Sequence, residues 1–216
     1  MKRTLTIIFF IAFAIEVVGI YLDSEIRWIS RPLVTTMLII YYAVMSEAKA
    51  PLLLLGLVTA LLGDMFLLLP EGAGFTLWAF VFIISYLVIT VFYNKARQKS
   101  IDSSSYPLLI GAVLLVGGLG AYVVMNTEQL KPLLAIQAIA GILMVGLSIL
   151  RVKKLPGYMM VVLGSILFVA GHLLTSTYHM VIDIDYSTLI AAILYGSGLY
   201  LIVEGSVKGD SMLAHL

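Results

Sequence analysis

Very few residues in this chain can carry chemistry, and the clearest is Asp64, the one ionisable side chain in the apolar run 52–69, directly after Gly63. A carboxyl enclosed among apolar helices is suited to general-acid work. His172, directly after Gly171 in a second apolar stretch, can share a functional cavity with it or be a hydrogen-bonded core histidine. Glu16 lies in a third such stretch, where it can act on a ligand or make an interhelical hydrogen bond. Asp64 has the same pair of readings. With no cysteine in the chain, thiolate chemistry and disulfides are excluded and the redox compartment is unreadable.

The elements that must position these groups are membrane helices. Of 216 residues 62% are hydrophobic and 12% charged, and the mean hydropathy is +1.09, well outside the range of a soluble domain. About 20 apolar residues carry a helix across roughly 30 Å of hydrocarbon. Eight segments of this kind are bounded by charged or Pro/Gly/Ser-rich breaks, at about 4–22, 33–46, 51–69, 75–94, 107–125, 130–150, 158–179 and 186–207. The second is the shortest and would have to begin near Trp28 to span. The expected fold is therefore all-α, a polytopic bundle of eight transmembrane helices forming one integral membrane domain over 1–216. The opening, Lys2 and Arg3 before an apolar stretch, has no clear cleavage site and reads as an uncleaved first span.

Alternating connections share the basic residues unequally. Ten of the 13 Lys and Arg fall on one side, and Arg27, Arg31 and Lys131 on the other. By the positive-inside rule both termini are cytoplasmic, in a cell (inner or plasma) membrane. The halves 1–100 and 101–216 also resemble each other. Gly56, Gly63 and Asp64 match Gly164, Gly171 and His172 in spacing, and Arg31-Pro32-Leu33 before span two matches Lys131-Pro132-Leu133 before span six. This points to a four-plus-four parallel repeat. Asp64 and His172 then share a depth in the outer half of the bilayer and are expected to border one cavity opening outward.

Around that pair, Tyr86, Tyr195 and Tyr200 can present hydroxyls to a cavity or serve as core and interface residues. Arg31, at the outer mouth of span two, suits a lipid phosphate or an interfacial anchor. Glu204, near the cytoplasmic end of span eight, is expected to snorkel to the interface. His172 and His179 lie about 10 Å apart along a helix, too far to grip one metal ion alone. No phosphate-binding loop, nucleophile-elbow serine or basic nucleic-acid patch is present.

With these pieces in place the chain resembles the YhhN family of membrane proteins, the lysoplasmalogenases. The matching parts are Arg31-Pro32-Leu33, the LLGDMFLLL segment around Gly63-Asp64, the polar position at Gly171-His172, Tyr195, and YLIVEG from Tyr200 to Gly205. The family usually carries a Ser-Asp pair where this chain has Gly171-His172, and a histidine near Tyr86. The resemblance implies hydrolysis of the vinyl ether bond of lysoplasmalogens to a fatty aldehyde and a glycerophospho-alcohol, with a membrane lipid or lysolipid as the partner. It also implies Asp64 as acid and stabiliser, His172 as the base that activates water, Arg31 as a headgroup clamp, and no metal or organic cofactor. The readings that compete are a small-molecule or lipid transporter and a non-catalytic membrane sensor or assembly protein on the same fold. Oligomeric state is not readable.

Overall fold

A computed structural model describes residues 1–47, 49–69, 72–98, 102–182 and 185–213, with side chains as far as residue 209. It contains the helices α1 (Lys2–Tyr21), α2 (Arg27–Met45), α3 (Pro51–Phe66), α4 (Ala73–Lys95), α5 (Tyr106–Asn126), α6 (Lys131–Ile149), α7 (Tyr158–Met180) and α8 (Ser187–Leu213), plus a 3-10 turn at Ser103–Ser105. The fold is all-α, with no strand among the described residues.

Seven of these helices are long and apolar enough to cross a membrane; α3, with 16 residues, is shorter. Large apolar side chains such as Ile29, Leu114 and Met159 face outward, while Thr35, Ser85 and Ser165 are fully buried. Polar groups gathered inside an apolar exterior are what a hydrocarbon solvent demands. The chain is a multi-pass membrane protein.

Proline marks helix starts where the missing N–H costs nothing. Pro51 opens α3, and Pro107 and Pro132 are the second residues of α5 and α6. Pro32 is different. The sequence reading begins span two at 33, whereas α2 starts at Arg27 and runs through Pro32 as its sixth residue. The helix loses one backbone hydrogen bond there. In exchange, Arg27, Arg31 and Thr35 fall on one face at successive turns. The third segment is shorter than its apolar run suggests: α3 stops at Phe66, and Leu67–Leu69 form turns. Asp64 is thereby in the last turn of α3.

Sequential helices pair as α1 with α2, α3 with α4, α5 with α6 and α7 with α8; α4 also packs on α6, and α8 on α2. The α7–α8 seam is backbone on backbone. A Cβ added at Gly164 would lie 2.7 Å from the carbonyl oxygen of Gly198, and one at Gly171 would lie 2.8 Å from the backbone nitrogen of Tyr195. Only glycine permits that approach. On the α3–α4 seam the corresponding glycines receive side chains instead: Gly56 takes Ile89, and Gly63 takes the ring of Phe82.

Candidate functional site

Asp64 is completely buried. Its burial is offset by donors from two other helices. Thr35 of α2 donates to Oδ2 at 2.5 Å, Tyr195 of α8 donates to the same oxygen at 2.6 Å, and Arg31 of α2 reaches Oδ1 through Nε at 3.4 Å. A buried carboxylate satisfied on both oxygens is tolerable where an unpaired one would not be. The hydroxyls of Thr35 and Tyr195 also lie 3.1 Å apart, which closes a small polar triangle.

His172 sits on α7 in an aromatic box. Its ring centre lies 3.8 Å from that of Phe82, 4.6 Å from Phe168, 5.1 Å from Tyr195 and 5.5 Å from Trp78. Nδ1 is hydrogen-bonded to the hydroxyl of Tyr86 at 2.6 Å. Nε2 is buried with no partner. A buried polar atom left unpaired costs about 1–3 kcal/mol, so it needs a reason. The two glycines that precede the chemical residues build this contact. Gly63 lets Phe82 lie against α3 beside Asp64, and Gly171 lets α8 bring Tyr195 against His172.

A cavity of about 400 Å³ opens beside this cluster. Its inner end is lined by Arg31, His172 and Tyr195, and its outer end by Asp23, Arg27, Tyr178, His179 and Thr188. His172 therefore borders the cavity as the sequence suggested, but Asp64 does not. Arg31 and Tyr195 stand between the carboxyl and the open space, because a desolvated acid needs those donors more than it needs exposure. Both of these residues bond the carboxyl and line the cavity.

The other candidates separate. Tyr86 belongs to the site through His172. Glu16 accepts a hydrogen bond from Ser30 at 2.5 Å and lies 3.9 Å from the Nε of Arg27, so it makes the interhelical α1–α2 contact. It also lines a narrow crevice with Arg31 and Tyr195. Tyr200 lies further along α8, stacked on Phe9 of α1 with ring centres 5.1 Å apart, and does not line the cavity. Glu204 does not snorkel. It is only 5% exposed, accepts from the hydroxyl of Tyr41, and pairs with Lys2 at 2.9 Å and Lys208 at 3.5 Å. Because α8 runs on past position 204 and α1 begins at Lys2, the cations come to the carboxylate.

Two residues escape the sequence reading. Thr35 and Arg27 are one turn below and one turn above Arg31, and continuing α2 back to position 27 would have exposed the spacing 27, 31, 35. The two positions at which the resemblance shows departures, Tyr86 and His172, are bonded to each other. They form a unit in this chain.

The model of the YhhN family matches residues 26–206, a span that takes in Arg27, Arg31, Thr35, Asp64, Tyr86, His172 and Tyr195 and leaves Glu16 outside. Searches among curated proteins and among solved structures return no match.

Proposed function

The chain belongs to the YhhN family, and from that membership together with the site we propose that it is a membrane hydrolase of the lysoplasmalogenase type, cleaving the vinyl ether bond of a single-chain lysolipid. The observation that carries the reading is a sealed carboxyl, Asp64, bonded to the Tyr195 hydroxyl at a cavity also lined by His172, whose buried Nε2 has no partner.

In the reaction we assign, Tyr195 turns its O–H from Asp64 to the substrate and passes that proton to the vinyl carbon β to the ether oxygen, while a protonated Asp64 returns a proton to the Tyr195 oxygen. The substrate becomes an oxocarbenium ion, and Asp64, now a carboxylate held by Thr35 and Arg31, stabilises it electrostatically. His172 accepts a proton from water through Nε2 as that water adds to the cationic carbon. This requires the tautomer in which Nδ1–H donates to Tyr86, leaving the lone pair on Nε2. The hemiacetal then collapses. The imidazolium protonates the departing glycerol oxygen, and the hemiacetal hydroxyl returns its proton through Tyr195 to Asp64. One water is consumed, one aldehyde and one alcohol leave, and both groups are reset.

The membrane arrangement is part of the same proposal. Eight helices cross the bilayer as one domain, with both termini cytoplasmic and the cavity facing the outer leaflet. The 16-residue α3 is accommodated by local thinning. A parallel four-plus-four repeat is supported by the reciprocal packing of α4 on α6 and α8 on α2.

The test is aldehyde release from a lysoplasmalogen by purified protein, with an ester lysophospholipid as control. Wild type is expected to release aldehyde from the vinyl ether only, and Asp64→Asn to release none. Absence of aldehyde from a folded wild-type protein would overturn the reading in favour of a carrier or a non-catalytic protein.

A further inference from the structure

Resting on the hydrolase reading, we infer that the phosphate anchor of this cavity is Arg27, and that Arg31 serves the reacting end. Both arginines line the same wall, one helical turn apart on α2. Their engagements differ. Arg31 is drawn inward to Asp64 and is only 13% exposed at its side chain. Arg27 is 28% exposed at its side chain, its Nε is buried without a hydrogen-bond partner, and its nearest carboxylate oxygen is 3.9 Å away on Glu16. The Ser30 hydroxyl holds the other carboxylate oxygen, Oε2, at 2.5 Å, and the Oε1 that faces Arg27 stays beyond hydrogen-bond distance of it. A partly exposed guanidinium that lines a cavity and has no carboxylate within hydrogen-bond distance is suited to receive an anion in fork geometry.

The position is held. A Cβ at Gly19 of α1 would stand 3.2 Å from Cγ of Arg27 and 2.9 Å from Ile26, so the arginine stem runs close against α1 at a glycine. Asp23 lines the same rim, so the mouth is not a uniformly basic patch that would take any anion. Spacing agrees with the chemistry. One turn of α2, about 5.4 Å, separates the level of Arg27 from that of Arg31, comparable to the three-carbon glycerol that separates an sn-1 ether oxygen from an sn-3 phosphate. With the vinyl ether at Tyr195 and His172, the phosphodiester reaches Arg27. The ligand chemistry recognised is a phosphodiester, and the source is a lipid headgroup.

The experiment measures binding, so it does not depend on turnover. Wild type, Arg27→Gln and Arg27→Lys are titrated with a saturated alkyl-ether lysophospholipid, which cannot be hydrolysed by the vinyl ether route, and with the matching phosphate-free alkylglycerol. The preference for phosphate, taken as the dissociation constant of the alkylglycerol divided by that of the lysophospholipid, is expected to fall about ten- to a hundredfold in Arg27→Gln and to recover in part in Arg27→Lys. Inorganic phosphate and a soluble glycerophosphodiester, added as competitors, should displace the lysophospholipid only at far higher concentration than the lipid itself. A ratio unchanged in Arg27→Gln, with the melting temperature of wild type, would overturn the anchor. Displacement by inorganic phosphate at the lipid's own concentration would overturn the headgroup as its source. Binding that depends on Arg27 in a protein releasing no aldehyde would strike the hydrolysis alone, and aldehyde release with Arg27-independent binding would strike the anchor alone.

Discussion

Asp64 and Glu204 are two buried carboxylates at opposite ends of one bundle, each bonded to a tyrosine hydroxyl and approached by a cation. Their surroundings differ. Asp64 is held by Thr35, Tyr195 and an arginine, and two of those partners form the wall of a cavity. Glu204 is held by Tyr41 and by two lysines whose side chains are nearly half exposed. Glu204 does not line the cavity beside Asp64. In the proposed function the same local chemistry serves as a reaction centre at one end, and at the other it fastens α1 to α8. What separates them is the space beside the tyrosine.

The sharpest way to break this contrast is to neutralise each acid in turn. Asp64→Asn keeps the shape and removes the proton source, and the rate of aldehyde release is expected to fall on the order of 10²–10⁴-fold. Tyr195→Phe cuts the link between carboxyl and cavity; losing a charge-assisted hydrogen bond of about 1.5–3 kcal/mol should slow the reaction about ten- to a hundredfold. Glu204→Gln should leave aldehyde release within about twofold while lowering thermal stability by about 1–2 kcal/mol, because both lysines can turn to water. If Glu204→Gln abolished activity in a folded protein, the division between the two ends would be wrong.

Tyr86→Phe sharpens the comparison further. It leaves the Nδ1 of His172 unpaired, and the expected loss of activity is about tenfold, with a pH-rate profile displaced from that of wild type. The smallest effect lies outside the spans. Hydrogen bonds from the side chain and backbone of Ser104, then from Lys153, pull the carboxyl of Asp102 from its ordinary 3.8 down to about 2. A carboxyl depressed in the folded state contributes stability above pH 3.8, and that contribution is lost as pH falls through about 2. Hydrogen-exchange protection of the 3-10 turn at Ser103–Ser105, corrected for the intrinsic rate, should weaken over that window while α7 is unchanged. Equal loss in both would mean the acid effect is global.

The site was partly legible before any coordinates. Asp64 and His172 stand out because a charged or basic group in an apolar run must be accounted for, and their preceding glycines advertise close packing. Thr35 was invisible, since a threonine in an apolar helix carries no signal until its register relative to Arg31 is known. That register was hidden by the start of α2. Arg27, Trp28, Arg31 and Pro32 look like a connection, yet they form the first turns of a helix. Glu204 was misplaced for the opposite reason. Its position near a span end suggested exposure, and only the packing of α1 against α8 shows that Lys2 and Tyr41 enclose it.

Hydropathy alone determined that this chain is a helical membrane protein, because an unpaired backbone has no solvent in hydrocarbon and the apolar runs have the length to cross it. It also determined which few side chains could react. Which of them meet was decided in three dimensions. A rotation of about 100° per residue turns one-position differences into different faces, so the triangle of Thr35, Asp64 and Tyr195, and the gap beside His172, exist only once four separate helices have settled against one another.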